Sequence, residues 1–361
     1  MGKGFMILSR LSLIFSVSLL SFQCIATICV NTSSNYKMFA STLRSGALAR
    51  GHEQAFQDNA FLDYEFFSAG NDQEFANQIQ NMSEGKCAIV LGLFTSRECL
   101  IAGTFLIDKK LIGISSSCGH DNIGKFSPYL YTETPPVSAF SSRYAKYLSE
   151  EYPSGEIIAV YQPTDIYSKS GFDYFKANFN KPVVEVPIES DGQFNTKAFD
   201  DFHGKKYTII FFTYPLPSAK ILVELNTHQL INNNVSIIGA SSWIFDVSVF
   251  RPIKPILQKA RGVIVADLID WSKITGSPFG ERFFQKYKRE PLLIEILTYD
   301  VTNLAIKCYR KAVINRVYNI ELFQTCIKDE KHQGISGEYS FEKTAPFANR
   351  PIYLTNMLDR I

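Results

Sequence analysis

In CAIVLGLFTSREC, residues 87–99, Thr95 and Ser96 stand where an apolar run gives way to charge. Two hydroxyls at such a place can cap a helix, hold a phosphate, supply a nucleophile or cradle another small anion. Comparable groups recur after other apolar runs. KLIGI is followed by Ser115, Ser116, Ser117, Cys118 and Gly119, EIIAVYQ by Asp165 and Tyr167, FFT by Tyr214, and IIGA by Ser241, Ser242 and Trp243. Ligands of open parallel sheets collect outside the carboxyl ends of the strands, so these loops form the candidate site.

The earlier loops supply Thr95, Ser96, Ser116, Ser117 and Cys118. Hydroxyls beside unpaired N–H groups at helix starts favour negative charge, and a hydrogen bond to a charged partner contributes about 1.5–3 kcal/mol. The later loops supply Tyr167, Tyr214, Ser241 and Trp243, with flat faces and polar tips able to cover a small molecule. Singly, each has an ordinary explanation: Ser96 as a helix cap, Tyr214 as core packing. Their joint placement at strand ends carries the binding reading.

Enzymatic chemistry has little support. The sequence has no phosphate-binding G-x-x-x-x-G-K-[ST] loop, no G-x-G-x-x-G turn after a strand and no G-x-S-x-G elbow. None of the five histidines is spaced as a metal ligand. Cys118 and His120 are two apart in a loop, a spacing that rarely presents a thiol to an imidazole. No catalytic residue, metal or cofactor is expected.

The elements that must position these loops alternate. Strands are expected at 26–31, 62–68, 87–93 and 110–116, with helices at 46–59, 75–82 and 97–108. After a helix at 137–152 the series restarts with strands at 156–162, 183–189, 207–214, 235–242 and 262–268, and helices at 171–179 and 218–230. Doubly apolar strands separated by helices imply parallel sheets, and two α/β sheets fit the pattern better than one very wide sheet. A long helix is expected over 292–316, a second near 319–329, then a turn and two extended segments over 334–357.

At 361 residues the chain has room for roughly two domains. A net charge of +2, from 37 basic and 35 acidic residues without a long single-sign run, excludes a nucleic-acid footprint. The N-terminus carries Lys3 and Arg10, an apolar stretch LSLIFSVSLLSF and small residues up to Ala26, the pattern of a cleaved export signal over 1–26. Six cysteines follow Cys24, none in C-x-x-C spacing. Cys308 and Cys326, on successive helices, are the best candidate pair, and Cys87 and Cys99 are expected to lie too far apart to bridge.

The order of these segments resembles the type I periplasmic binding proteins, specifically the Leu/Ile/Val-binding group of transporter substrate-binding proteins. VLGLFTSREC, LIGISSSCG, IIAVYQPTDIYSKSGFDYF, LTYDVTNLA and GISGEYSFE carry the likeness across nearly the whole chain after residue 26. It implies two Rossmann-like lobes joined by three hinge crossovers and closing on a small ligand. The lobes are expected as 27–136 and approximately 137–291, with 292–361 returning to the first and supplying closing segments. It further implies a ligand carboxylate held by Thr95, Ser116 and Cys118, faced by Tyr167 and Tyr214. The partner implied is the membrane permease of an ABC transporter, reached in the periplasm or after secretion.

One departure bears on the ligand. Amino-acid binders of that group place an acid where this chain has Ser241, and an ammonium buried without a counter-charge is costly. Glu295, Asp246 and Asp165 are the carboxylates available to replace it; otherwise the ligand is an acid or amide without an amine. The alternative role is a sensory or regulatory module that docks to another envelope protein.

Overall fold

The computed structural model describes residues 27–32, 46–82, 87–152, 155–190, 192–274, 276–329, 331–342 and 345–361. The export signal expected over 1–26 lies outside them. The first lobe runs β1 (Thr27–Asn31), α1 (Leu48–Asp58), β2 (Tyr64–Phe67), α2 (Asp72–Met82), β3 (Cys87–Leu93), α3 (Ser96–Lys109), β4 (Ile112–Ser115), α4 (Ile123–Phe126) and β5 (Leu130–Thr132). Its parallel sheet has the order β2-β1-β3-β4-β5. All seven residues of β3 are buried, as a central strand covered on both faces requires. Gly92 has φ +76°, and a Cβ there would stand 2.0 Å from the Asn31 carbonyl oxygen, so only glycine fits this approach to β1.

The second lobe begins with α5 (Val137–Glu151). It continues through β6 (Glu156–Tyr161), α6 (Ile166–Asn178), β7 (Val183–Pro187), β8 (Tyr207–Phe211), α7 (Pro215–Thr227), β9 (Val235–Gly239), α8 (Lys254–Leu257), β10 (Gly262–Asp267) and α9 (Pro278–Tyr287). A mostly 3₁₀ stretch, Ser241–Val249, follows β9. Then come α10 (Leu293–Ala312), the hairpin β11 (Val313–Ile314) and β12 (Val317–Tyr318), α11 (Ile320–Asp329), β13 (Lys331–Gly334), β14 (Gly337–Phe341), β15 (Ala348–Asn349) and β16 (Tyr353–Asn356). The second sheet is ordered β16-β10-β9-β8-β6-β7. Both lobes thus carry the doubly wound pattern, with the strand order reversing between β1 and β3 and between β6 and β8.

Two details correct the sequence reading. The helix expected to reach residue 316 ends at Ala312, because Asn315 and Arg316 both take positive φ and turn the chain into a hairpin. The stretch 292–361 does not return wholly to the first lobe. β16 pairs antiparallel with β10, and Met357 is buried in the second core.

The chain passes between the lobes three times. Glu133–Pro136 joins β5 to α5, and Arg350–Ile352 joins β15 to β16. Between these, α10 buries Leu293–Tyr299 in the second core and Val301–Ala312 in the first. Three disulfides brace the first lobe: Cys29–Cys87 between β1 and β3, Cys99–Cys118 between α3 and the loop after β4, and Cys308–Cys326 between α10 and α11. The last is the pair expected; the other four cysteines pair across neighbouring loops and strands that sequence spacing does not bring together.

Candidate functional site

Strand order places the site. The loops at both reversals face each other across the cleft between the lobes, and α3, α6 and α7 begin there. Phe94, Thr95 and Ser96 follow β3, and Ser117 follows β4. From the second lobe come Tyr167 in the first turn of α6, Tyr214 before α7, and Ser242 and Phe245 in the 3₁₀ stretch. These eight residues surround a cavity of about 20 Å³, room for about one water. The Phe94 and Phe245 rings meet edge to face across the lobes, with centroids 6.1 Å apart.

Thr95, Ser96, Ser117, Tyr167 and Tyr214 are therefore brought together. Tyr167 and Tyr214 lie with ring centroids 5.1 Å apart. The Tyr167 hydroxyl is 2.9 Å from Ser241 Oγ and accepts from the Ser242 N–H at 3.2 Å. Burial raises both tyrosine pKa values, so both phenols stay neutral. Ser241 thus positions a ring rather than lining this cavity.

Thr95 is the N-cap of α3, and its hydroxyl accepts from the Glu98 N–H at 3.2 Å. In return the buried Glu98 carboxylate accepts from the N–H groups of Thr95 at 2.8 Å and Phe94 at 3.0 Å, and from Asn31 Nδ2 at 3.2 Å. The anion position at the head of α3 is occupied by the chain's own carboxylate. The T-x-x-E spacing of a capping box is the sequence signal for Glu98; Ser242 and Phe245 follow from the 3₁₀ turn, which carries no comparable signature.

Four further expected contacts are corrected. Cys118 is bonded to Cys99 and has no thiol to donate. Trp243 is fully buried, stacks on Phe250 with centroids 4.4 Å apart, and donates its indole N–H to Ser218 Oγ at 3.0 Å. It covers Gly239, where a Cβ would stand 2.2 Å from the indole. Glu295 takes part in no cleft contact: Arg50 Nε donates to it at 2.7 Å, Arg289 through both terminal nitrogens at 2.5 and 2.8 Å, and the Leu292 N–H at 2.8 Å. Ser116 lies beneath the cleft with a buried Oγ that has no hydrogen-bond partner, and its carbonyl accepts from Thr134 Oγ1 at 2.7 Å.

The remaining acids are also engaged. Asp165 caps α6 through the Ser168 N–H at 2.8 Å, and Asp246 accepts from Ser248 Oγ at 2.5 Å. Among the described residues lining the cavity there is no carboxylate and no cationic side chain. No group of three or more His, Cys, Asp or Glu among the described residues could hold a metal ion, and no helix among them is long and apolar enough to cross a membrane.

No protein-family model and no curated protein sequence matches the chain. Solved structures do. The branched-chain amino acid transporter substrate-binding protein LivJ from Streptococcus pneumoniae, in complex with isoleucine, superposes with a TM-score of 0.74 at 18% identity, covering 92% of this chain and 97% of that one. The leucine-binding protein LivK from Thermotoga maritima gives 0.76 at 14% identity, covering 91% and 95%. A Rhodopseudomonas palustris ABC-transporter solute-binding protein in complex with 4-hydroxybenzoate gives 0.71 at 14% identity, covering 92% of both chains. The fold is that of the two-lobed type I periplasmic binding proteins.

Proposed function

We propose that this chain is an exported solute-binding protein whose lobes part to admit a small carboxylic acid lacking an amine, close over it, and deliver it to an ABC-transporter permease. The composition of the cleft wall carries this reading. The residues lining the cavity offer hydroxyls and four aromatic rings, and there is no acid among them to balance an ammonium; the buried Glu98 carboxylate is engaged by the N–H groups at the head of α3. Its structural neighbours include proteins that hold isoleucine and others that hold 4-hydroxybenzoate; the wall described here suits the second kind of ligand. The N-terminal pattern of residues 1–26 supports export, as does the pairing of all six later cysteines, since disulfides persist in oxidising compartments.

A second reading is favoured by one observation. Phe94 and Phe245 meet across the cleft, leaving about 20 Å³, and the N–H groups at the head of α3 are already taken by the Glu98 carboxylate. A docking module that never takes a solute would be built this way.

A thermal-shift screen of the mature chain, refolded to strip bound ligand, separates the two. The panel holds branched amino acids, aromatic carboxylates, aliphatic acids and short amides. A ligand at 100 times its Kd adds about 2.7 kcal/mol to stability, and the melting curve follows. An aromatic acid giving the largest shift is the expected result; a win for amino acids overturns the ligand class, and no shift at all favours the docking module.

A further inference from the structure

Behind the cleft, each of the three crossovers contributes one charged residue to a single buried cluster. Glu133 lies on the first crossover and Arg350 on the last. Asp300 lies on α10 where the helix leaves one core for the other, between Tyr299 and Val301. Arg350 Nη1 donates to Glu133 Oε1 at 2.8 Å, and its Nη2 donates to the carbonyls of Leu268 at 3.0 Å and Ser336 at 3.1 Å. Ser336, in the turn between β13 and β14, joins the two acids: its Oγ is 2.5 Å from Asp300 Oδ2 and 3.0 Å from Glu133 Oε1. Gly334 allows that turn to approach, since a Cβ there would stand 2.3 Å from Asp300 Oδ2.

The hydrogens do not suffice for two ionised acids. A serine hydroxyl carries one proton, so it can donate to only one of two carboxylates. Asp300 is already the better solvated, accepting from the N–H groups of Ile335 and Ser336, each at 2.8 Å. If Ser336 donates to Asp300, its oxygen faces Glu133 Oε1 with no hydrogen between them. Glu133 Oε2 is buried without a partner, and so is Arg350 Nε. One cation thus faces two acids, and one proton is missing from the hydrogen-bond count.

We infer that Glu133 and Asp300 share one bound proton at Ser336, and that this proton latches the three crossovers so that its release to bulk water frees the lobes to rotate. The groups facing Glu133 are Arg350 from the last crossover, Asp300 from α10, and Ser336 and Tyr339 from the hairpin. Burial keeps the Tyr339 phenol neutral. Burial and the Asp300 charge push Glu133 up to about 8 against the pull of Arg350, and burial raises Asp300 as well. Because every path between the lobes passes through this cluster, rotation of one lobe against the other must shear it. The latch is independent of what the cleft binds.

Small-angle X-ray scattering on the full chain, without ligand, from about pH 6 to about pH 10 tests the latch. The radius of gyration should rise with a midpoint near pH 8 and stay flat in Glu133→Gln, whose amide cannot ionise. A flat wild-type profile, or the same rise in the variant, overturns the inference. Infrared titration of the wild type reads the proton directly and needs no variant to fold. A protonated-carboxyl band should vanish with that midpoint, and its absence at about pH 6 overturns the proposal. In Asp300→Asn, removal of the like charge should move the midpoint down by about one pH unit or more; an unmoved midpoint shows the proton is not shared.

Discussion

The Glu98 carboxylate stands 2.8 Å from the backbone nitrogen of Thr95 and 3.0 Å from that of Phe94, in the place where the head of α3 would otherwise hold an external anion. Glu98→Ala should have two opposite effects. Loss of the capping box and of the Asn31 contact should cost about 1–2 kcal/mol in chemical denaturation. The freed N–H groups should tighten binding of simple carboxylates by calorimetry; unchanged or weaker binding would mean that no anion uses this position.

Phe245→Ala should open the cleft. Removing a buried phenyl costs about 3–5 kcal/mol of stability, and the space left beside Phe94 and Tyr214 suits an aromatic ring. Benzoate affinity should rise in the variant, measured by equilibrium dialysis. A pure loss of stability with no gain in binding would place Phe245 in the core only.

Reduction or replacement of Cys99 and Cys118 together should loosen the first-lobe wall. Their separation of 19 residues corresponds to about 3 kcal/mol in the chain-entropy account. The Cys99→Ser, Cys118→Ser double variant should melt earlier and lose affinity for any cleft ligand, because the α3 head is no longer tied to the Ser117 loop. Retained affinity would show that the helix cap alone fixes that wall.

Glu295→Ala should leave Arg50 and Arg289 facing an empty position. Breaking a buried ion pair costs about 3–5 kcal/mol, read as a shift in the urea midpoint. Ligand preference should not change, since Glu295 lies outside the cleft wall; altered selectivity between amino acids and amine-free acids would return it to the site.

The pH profile of stability should have two flanks. Glu133 keeps its proton up to about pH 8 in the fold, against 4.5 for the free side chain. The folded state binds more protons in that window, so stability falls as pH rises through it. His52 is buried and held neutral, its pKa lowered by burial from 6.5 to about 3. There the unfolded state binds more protons, and stability falls as pH drops from 6.5 to 3. Thermal melts of Glu133→Gln should lose the alkaline flank and those of His52→Asn the acid flank; unchanged flanks would assign the slopes to other groups.

Much of the fold was legible because its strands are apolar on both faces and its helices alternate with them. The expected run 87–93 is β3 to the residue, and the helix expected at 97–108 is α3 within a residue at each end. β5 and β13, three and four residues long, are too short to show a period. The loops at strand ends were likewise legible as a group, since strand order alone decides which loops meet. What each side chain does there was less so. Thr95 and Tyr167 point into the cavity, whereas Trp243, from the same class of loop, is turned into the core by Gly239. The roles of Cys118 and Glu295 are not legible in the sequence because their partners, Cys99 on α3 and Arg50 on α1, become neighbours only after folding.

β16 is an edge of the second sheet, and the hairpin of β13 and β14 before it covers the core of the first. A chain made from its N-terminus therefore cannot finish either half in turn. Five strands of the first sheet exist by residue 132 but wait for Phe323, Tyr339, Phe341 and Ala348 to close their core. The second sheet waits for Tyr353–Asn356 and Met357. Both halves become complete only after residues 323–357 have been made, so a chain stopped just before Tyr353 would leave one half without its edge strand, and one stopped before Phe323 would leave neither half whole.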